Sequence, residues 1–199
     1  TDSHRMSQKV ITLEKNGDNF DVVIPSRSLR EFTSVFSDDI ETVEVFFANN
    51  QILFRSEHIS FYTRLLEGNY PDTDRLIPTE FNTEATFNVA NLRFAMERAR
   101  LLSNATQNGT VKLEFKNGVV SSHVHSPEVG RVNEEIDTSA VSGEDLSISF
   151  NPTYLIEALK AIDSEQVVIR FISSVRPFTL VPEGNEQGFI QLITPVRTN

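Results

Sequence analysis

Residues 20–54, FDVVIPSRSLREFTSVFSDDIETVEVFFANNQILF, and residues 146–180, LSISFNPTYLIEALKAIDSEQVVIRFISSVRPFTL, are two copies of one pattern. Each opens on alternating apolar residues, Val22 and Ile24 in the first and Ile148 and Phe150 in the second, which reads as a strand with one buried face. A proline follows at a helix start, Pro25 or Pro152, with Ser26 or Thr153 beside it, where a fixed φ and a missing N–H cost nothing. The next stretch is apolar at helical spacing: Leu29, Phe32 and Phe36 in one copy, Leu155, Ala158, Leu159 and Ile162 in the other. Period two then returns, with Val43-Glu44-Val45-Phe46-Phe47 answering Val167-Val168-Ile169-Arg170-Phe171. After a polar turn, Asn49-Asn50 or Ser173-Ser174, come further strands at 52–56 and 59–66, or at 178–181 and 188–194. The unit reads β-α-β-β-β.

A third, more diverged copy lies between these two. It runs from Ala85-Thr86-Phe87 into the helix NLRFAMERARLLSN (91–104), whose inward stripe is Leu92, Ala95, Met96, Ala99 and Leu102. The strands VKLEFKNGVVSSHVH (111–125) follow, hinged at Asn117-Gly118, a dipeptide suited to a tight hairpin, and a last strand spans 129–138. Two units make a natural domain, and one unit together with the strand Met6–Glu14 is left over at the front. The expected class is α+β. Residues 1–70 read as the end of one domain, 71–78 as a proline-bracketed linker and 79–199 as a complete second domain. On this reading the chain begins within a domain and is a fragment.

Composition narrows the function classes. Hydrophobic residues make up 39% of the 199, with 15 Phe, enough for a packed core. There is no cysteine, which excludes a disulfide framework and a thiolate metal site and fits a reducing compartment. No run approaches the roughly 18 apolar residues of a membrane span, and the first residues lack a signal-peptide pattern. Eighteen basic against 28 acidic residues give a net charge of −10, so nucleic acid would be repelled unless cations gather on one face.

TDSHR at residues 1–5 sets a hydroxyl, an imidazole, an acid and a base side by side. A hydrolase needs these groups to converge, and adjacent residues of an extended segment, such as Ser3 and His4, point to opposite faces. There is no Gly-x-Ser-x-Gly, and with 8 Gly in total there is no phosphate-cradling loop. His123 and His125 project to one side of a strand and could share a metal, but no carboxylate or cysteine at a suitable spacing completes the site. A solvated strand face is the simpler reading. His58 stands alone and reads as a surface or partly buried residue.

Four stretches together, TDSHR (1–5), EGNYPDTDRLIP (67–78), RARLLSN (98–104) and QLITPVRTN (191–199), resemble the bacterial DNA polymerase III β sliding-clamp family. The tail is similar to that of Gram-positive members, and the likeness runs the length of the chain. The resemblance implies a DNA-clamp fold of three domains, each of two β-α-β-β-β units, with two protomers closed head-to-tail around duplex DNA. This chain would hold the last part of the middle domain and the whole third domain. No catalysis and no cofactor are implied. The implied partners are short peptides of the polymerase III α subunit, the clamp-loader δ subunit and other polymerases and repair proteins, and the implied location is the cytoplasm, at the nucleoid.

Carried over residue by residue, the peptide groove would comprise Thr1, Ser3, His4, Arg5 and Met6, with Pro71, Arg75 and Leu76 from the linker. The third domain would add Asn151, Tyr154, Val175, Arg176 and Pro177, and the tail Leu192, Thr194, Pro195, Val196 and Arg197. Met6, Pro71, Leu76, Leu192 and Val196 supply apolar floor, and Arg5, Arg176 and Arg197 can hold carbonyls or a carboxylate. Ser3 stands where the family commonly has glycine, and Thr194 where some members have methionine. The helices face DNA in this family, which makes Arg27, Arg30, Arg75, Arg93, Arg100 and Lys160 candidate phosphate contacts without base reading. Leu101 and Leu102 fall at the family's subunit interface, whose partner domain is missing here, so the chain is expected to be mostly monomeric. Two other readings stay open at this point: a peptide-binding β-module unrelated to replication, and a His-dependent hydrolase or metal enzyme.

Overall fold

The computed structural model describes residues 1–13, 19–36, 39–103, 109–126, 130–185 and 188–197. Glu14 of the first expected strand, Ser37-Asp38, Asn104, Val129 and the tail's Thr198-Asn199 lie outside the described residues. Along the chain the elements are β1 (Arg5–Lys9), α1 (Ser26–Val35), β2 (Glu44–Ala48), β3 (Gln51–Arg55) and β4 (Ser60–Arg64). A 3-10 turn at Asp74–Leu76 precedes β5 (Thr83–Asn88), α2 (Val89–Ser103), β6 (Val111–Lys116), β7 (Val119–Ser126), β8 (Gly130–Ile136) and β9 (Ala140–Gly143). Then come β10 (Leu146–Phe150), α3 (Pro152–Lys160), β11 (Gln166–Phe171), β12 (Phe178–Pro182) and β13 (Phe189–Ile193). They form two compact units, Thr1–Thr12 with Thr73–Asn199, and Leu13–Asp72.

The larger unit has a six-stranded sheet, β1-β13-β12-β11-β5-β9, and a four-stranded sheet, β10-β6-β7-β8. Two β-α-β-β-β units build it by exchanging their first strands. β5 leaves its own unit to pair antiparallel with β11, and β10 pairs antiparallel with β6. The helices α2 and α3 cover the shared core, burying Leu92, Ala95, Met96 and Ala99 from one and Leu155, Ile156, Ala158 and Leu159 from the other. Phe87, Phe115, Phe150, Phe171 and Phe178 are fully buried, with the Phe171 ring 4.9 Å from Phe115 and 5.2 Å from Phe178. At about 1.5–3 kcal/mol per fully buried side chain, these five rings contribute substantially alongside the buried Leu, Ile, Val and Met of the same core.

Local chemistry explains the element ends. Asn151 caps α3, its Oδ1 accepting from the Thr153 N–H at 2.9 Å, with Pro152 as the first helical residue. Asn117 (φ 51) and Gly118 (φ 78) both take the left-handed region, as a two-residue hairpin between β6 and β7 requires. The strand β9 was not expected from sequence. Its four residues, Ala140-Val141-Ser142-Gly143, carry too short a pattern, and it exists because β5 offers a free edge.

The smaller unit departs from expectation in two ways. β2, β3 and β4 form an antiparallel sheet and α1 lies where the periodicity put it, with Phe32 4.5 Å from both Phe36 and Phe54. The expected strand at Val22–Ile24 is not formed. The segment has one backbone hydrogen bond, from the Leu66 N–H to the Val23 carbonyl at 2.8 Å, and an isolated extended segment has no ladder to join. The apolar face of α1 is covered at Phe32 and Phe36 but open at Leu29, which is 42% exposed.

Gly143 is at φ +98, and a Cβ there would sit 1.9 Å from the Asn82 carbonyl oxygen. Gly143→Ala is expected to destabilise the larger unit by roughly 3 kcal/mol or more, and Gly118→Ala, at φ +78 with open space around it, by about 1 kcal/mol. Chemical denaturation of the two variants checks the order.

Candidate peptide-docking site

One end of the six-stranded sheet gathers three separate segments. Arg5 at the start of β1 is opposite Ile193 at the end of β13, and Ile193 is opposite Phe178 at the start of β12. His4, Thr194 and Pro177 therefore leave the sheet at the same end. The backbone N–H of Thr194 and its Oγ1 both donate to the His4 carbonyl, at 2.9 and 3.0 Å. The tail continues to Val196, whose N–H donates to the Ser149 carbonyl at 2.7 Å and ties it beside β10. Residues 4 and 194, far apart in sequence, are thus joined directly by hydrogen bonds.

Tyr154, in the first turn of α3, is the centre of the polar side. The His4 ring stacks on it at 5.9 Å with 17° between planes, and the Arg5 guanidinium carbon lies 4.7 Å from its ring centroid. Arg5 also pairs with Asp2 through Nε at 3.0 Å and with Glu157, one turn beyond Tyr154, through Nη1. Asp2 closes a tight turn, its Oδ1 accepting from the N–H groups of His4 at 2.8 Å and Arg5 at 3.0 Å. Thr1 Oγ1 donates to the Arg5 carbonyl at 2.9 Å. Arg5, expected to hold peptide carbonyls or a carboxylate, is itself paired with two carboxylates of the chain.

Met6 and Leu192, expected as apolar floor, face each other across β1 and β13 and are each only 4% exposed. Alternation along β1 puts Arg5 on the opposite face from Met6. The face of Arg5 looks to α3, as Gln191 beside it confirms by donating to the Ala158 carbonyl at 2.7 Å. Gln8, three residues or about 10 Å along β1, donates to Asp74 Oδ1 at 3.0 Å and places the Arg75-Leu76 turn. Leu76 (53%) and Val175 (53%) are exposed apolar residues, as is Val196. Arg75, Arg176 and Arg197 are exposed and Pro177 and Pro195 half-buried, while the Asn151 side chain is committed to its helix cap. Ser3 is exposed, and no hydrogen bond joins it to His4 among the described residues. Pro71 lies exposed in the smaller unit. Sequence reasoning missed Asp2, Glu157, Gln8 and Asp74. The Asp-x-His-Arg turn was the available signal for the first, and the i, i+3 spacing from Tyr154 for the second.

The other candidates separate. Arg93 lies 4.0 Å from Glu97 and 5.2 Å from the Phe94 ring centroid, and it lines a depression of about 260 Å³ together with Lys160, Ser164 and Glu165. Arg100 is half-buried, and Arg30 and Arg27 are exposed on α1, with Arg27 bonded to Glu31 at 3.0 Å. Leu101 is 72% exposed at the end of α2 and Leu102 packs on the core. His123 has Asn133 Oδ1 at 2.8 Å from Nδ1 and Ser121 Oγ at 2.9 Å from Nε2, and His125 accepts from Arg131 at 3.4 Å. Among the described residues no group of three or more His, Cys, Asp or Glu could hold a metal ion.

Burial raises the Asp2 carboxyl, but the N–H of His4, the Arg5 guanidinium and the Arg5 N–H outweigh it and hold it below its ordinary 3.8. A carboxylate whose folded pKa is depressed contributes stability above the unfolded value and loses it as pH falls through the folded one. The amide resonances of His4 and Arg5 should therefore titrate with a midpoint below 3.8, and Asp2→Asn should remove the transition. A midpoint at or above 3.8 in the parent would contradict the turn.

Comparison with known proteins agrees with this architecture. Residues 1–72 match the family described as "DNA polymerase III beta subunit, central domain", and residues 74–197 the family described as "DNA polymerase III beta subunit, C-terminal domain". The chain is 80% identical over its full length to the beta sliding clamp of Streptococcus pneumoniae and 55% identical to that of Lactococcus lactis, spanning 53% of each. It therefore spans about half the length of these relatives. The crystal structure of the S. pneumoniae DNA polymerase III beta chain superposes with a TM-score of 0.97 at 80% identity, covering all of this chain and 52% of that one. The sliding clamp from Bacillus subtilis gives 0.94 at 38%, again over all of this chain and 53% of the other. With both domain descriptions matched in chain order and the clamp fold shared, the chain belongs to the DNA polymerase III beta subunit family.

Proposed function

We propose that this chain is the docking portion of a sliding clamp, a non-catalytic processivity factor that tethers polymerases to duplex DNA by a topological link. The observation that carries the reading is the convergence of His4, Arg5, Tyr154 and Thr194 at one end of a sheet, with the buried pair Met6 and Leu192 on its opposite face. A preformed backbone junction with exposed apolar residues at Leu76, Val175 and Val196 suits a short peptide with one or two apolar anchors. The partners are peptide segments of the polymerase III α subunit, the clamp-loader δ subunit and other polymerases and repair proteins. Residues 1–70 act as the end of the central domain, 71–78 as linker and 79–199 as the C-terminal domain. In the whole protein, two protomers close head-to-tail through Leu101 and Leu102. Arg27, Arg30, Arg75, Arg93, Arg100 and Lys160 contact phosphates without reading bases. The setting is the cytoplasm, at the nucleoid.

One or two anchors at about 1.5–3 kcal/mol each, less the cost of ordering the peptide, give an affinity of roughly micromolar, which lets partners take turns. Titration of a labelled Gln-x-x-Leu-Phe peptide is expected to saturate in that range. Val175→Asp and Pro195→Asp should each weaken it about tenfold or more with unchanged thermal melting. Met6→Asp is unsuitable, because Met6 is buried and the variant would test folding. Absence of saturation near millimolar peptide, or binding indifferent to both substitutions, would sink the proposal.

A further inference from the structure

Alternation divides the four-stranded sheet β10-β6-β7-β8 of the larger unit between two faces. Val120, Ser122 and Val124 of β7 are buried on the core side, so Ser121 and His123 stand on the outer one. The register sets their neighbours. Ser121 is opposite Glu114 of β6 and Glu135 of β8, and His123 is opposite Lys112 and Asn133. Because β7 is paired on both sides, the backbone beneath these side chains is fixed.

The contacts of His123 have a direction. Asn133 Oδ1 lies 2.8 Å from Nδ1 and, as a carbonyl oxygen, can only accept, so Nδ1 carries the proton. In a neutral ring Nε2 then has a bare lone pair, and the Ser121 hydroxyl at 2.9 Å donates to it. Glu114 Oε2 is 3.4 Å from the same Nε2, where it faces the charge the ring acquires on taking a proton. A hydroxyl, an imidazole and an oxygen that orients the imidazole are the parts of an activated nucleophile. The His123 side chain is 28% exposed, so water is largely kept from these bonds while a small reagent can reach Ser121.

We propose that Ser121 is a covalent modification site, an acyl acceptor for neutral activated esters and thioesters. Ser121 Oγ attacks the carbonyl carbon of the donor as its proton passes to His123 Nε2. A new C–O bond forms, the bond from that carbon to the leaving oxygen or sulfur breaks, and Nε2 returns the proton to the leaving group. Glu114 and Glu135 flank Ser121 and repel anionic donors such as acyl phosphates, which selects the neutral class. The β7 amides are committed to the ladders with β6 and β8, so the strand offers no backbone N–H to an oxyanion. The reaction is therefore slow and stops at the acyl-serine, a single modification without turnover.

The 199-residue chain is incubated with p-nitrophenyl acetate, a neutral activated ester, and acetylation is followed by peptide mapping and mass spectrometry. The acetyl group should accumulate on Ser121 about tenfold or more faster than on Ser147, which is also opposite Glu114 on the outer face but has no imidazole bonded to it. His123→Gln should slow Ser121 labelling about tenfold or more and leave Ser147 labelling and thermal melting unchanged. Asn133→Asp keeps an oxygen acceptor for Nδ1 and should preserve the label, and Asn133→Leu should reduce it. Equal rates at Ser121 and Ser147, labelling of Ser121 indifferent to His123→Gln, or acetyl found on lysines and His123 alone would overturn the proposal.

Discussion

The constraint from which the larger unit follows is the exchange of first strands between two β-α-β-β-β units. A single unit has a three-stranded sheet with one apolar face and a helix too short to cover it. When β5 joins β11 and β10 joins β6, two sheets and two helices close on one core, and residues such as Phe87 and Phe150 become fully buried. The smaller unit has the same pattern without the exchange. Leu29, Val45 and Phe47 stay open there although their chemistry is that of a core. Burial is decided by pairing, with the local pattern held constant.

The proposed docking site depends on a second pairing. β1 adds to the free edge of β13, and that register brings residues 4–6 and 192–194 together. β1 belongs by family match to the central domain and by hydrogen bonding to the sheet of the C-terminal one. Met6 and Leu192 are buried by the pairing, while His4 and Arg5 are turned onto Tyr154. Asp2 and Glu157 then hold Arg5, so its guanidinium has a fixed direction. Preorganisation of this kind lowers the ordering cost of a weak peptide contact.

Much of the fold was legible because periodicity is a local property. The stripe Leu92, Ala95, Met96, Ala99 and the alternation in β6 and β7 follow from residue spacing, and Asn117-Gly118 from turn chemistry. The misses share one cause. β9 has only four residues and forms because β5 has an open edge. Val22–Ile24 has the right alternation and, among the described residues, no partner strand. Pairing partners are tens of residues away, and no local pattern specifies them.

The site divides in the same way. The sequence by itself determined the repeat, the class of the fold, the absence of cysteine and, by likeness, which segments to propose for the groove. It could not determine that Arg5 is paired with Glu157, that Met6 and Arg5 take opposite faces, or that Asn151 is occupied with its cap. Those depend on which strand edges and helix ends meet in space. Tertiary structure decided them because hydrogen-bond partners and burial belong to pairs of segments, and a sequence lists its segments one at a time.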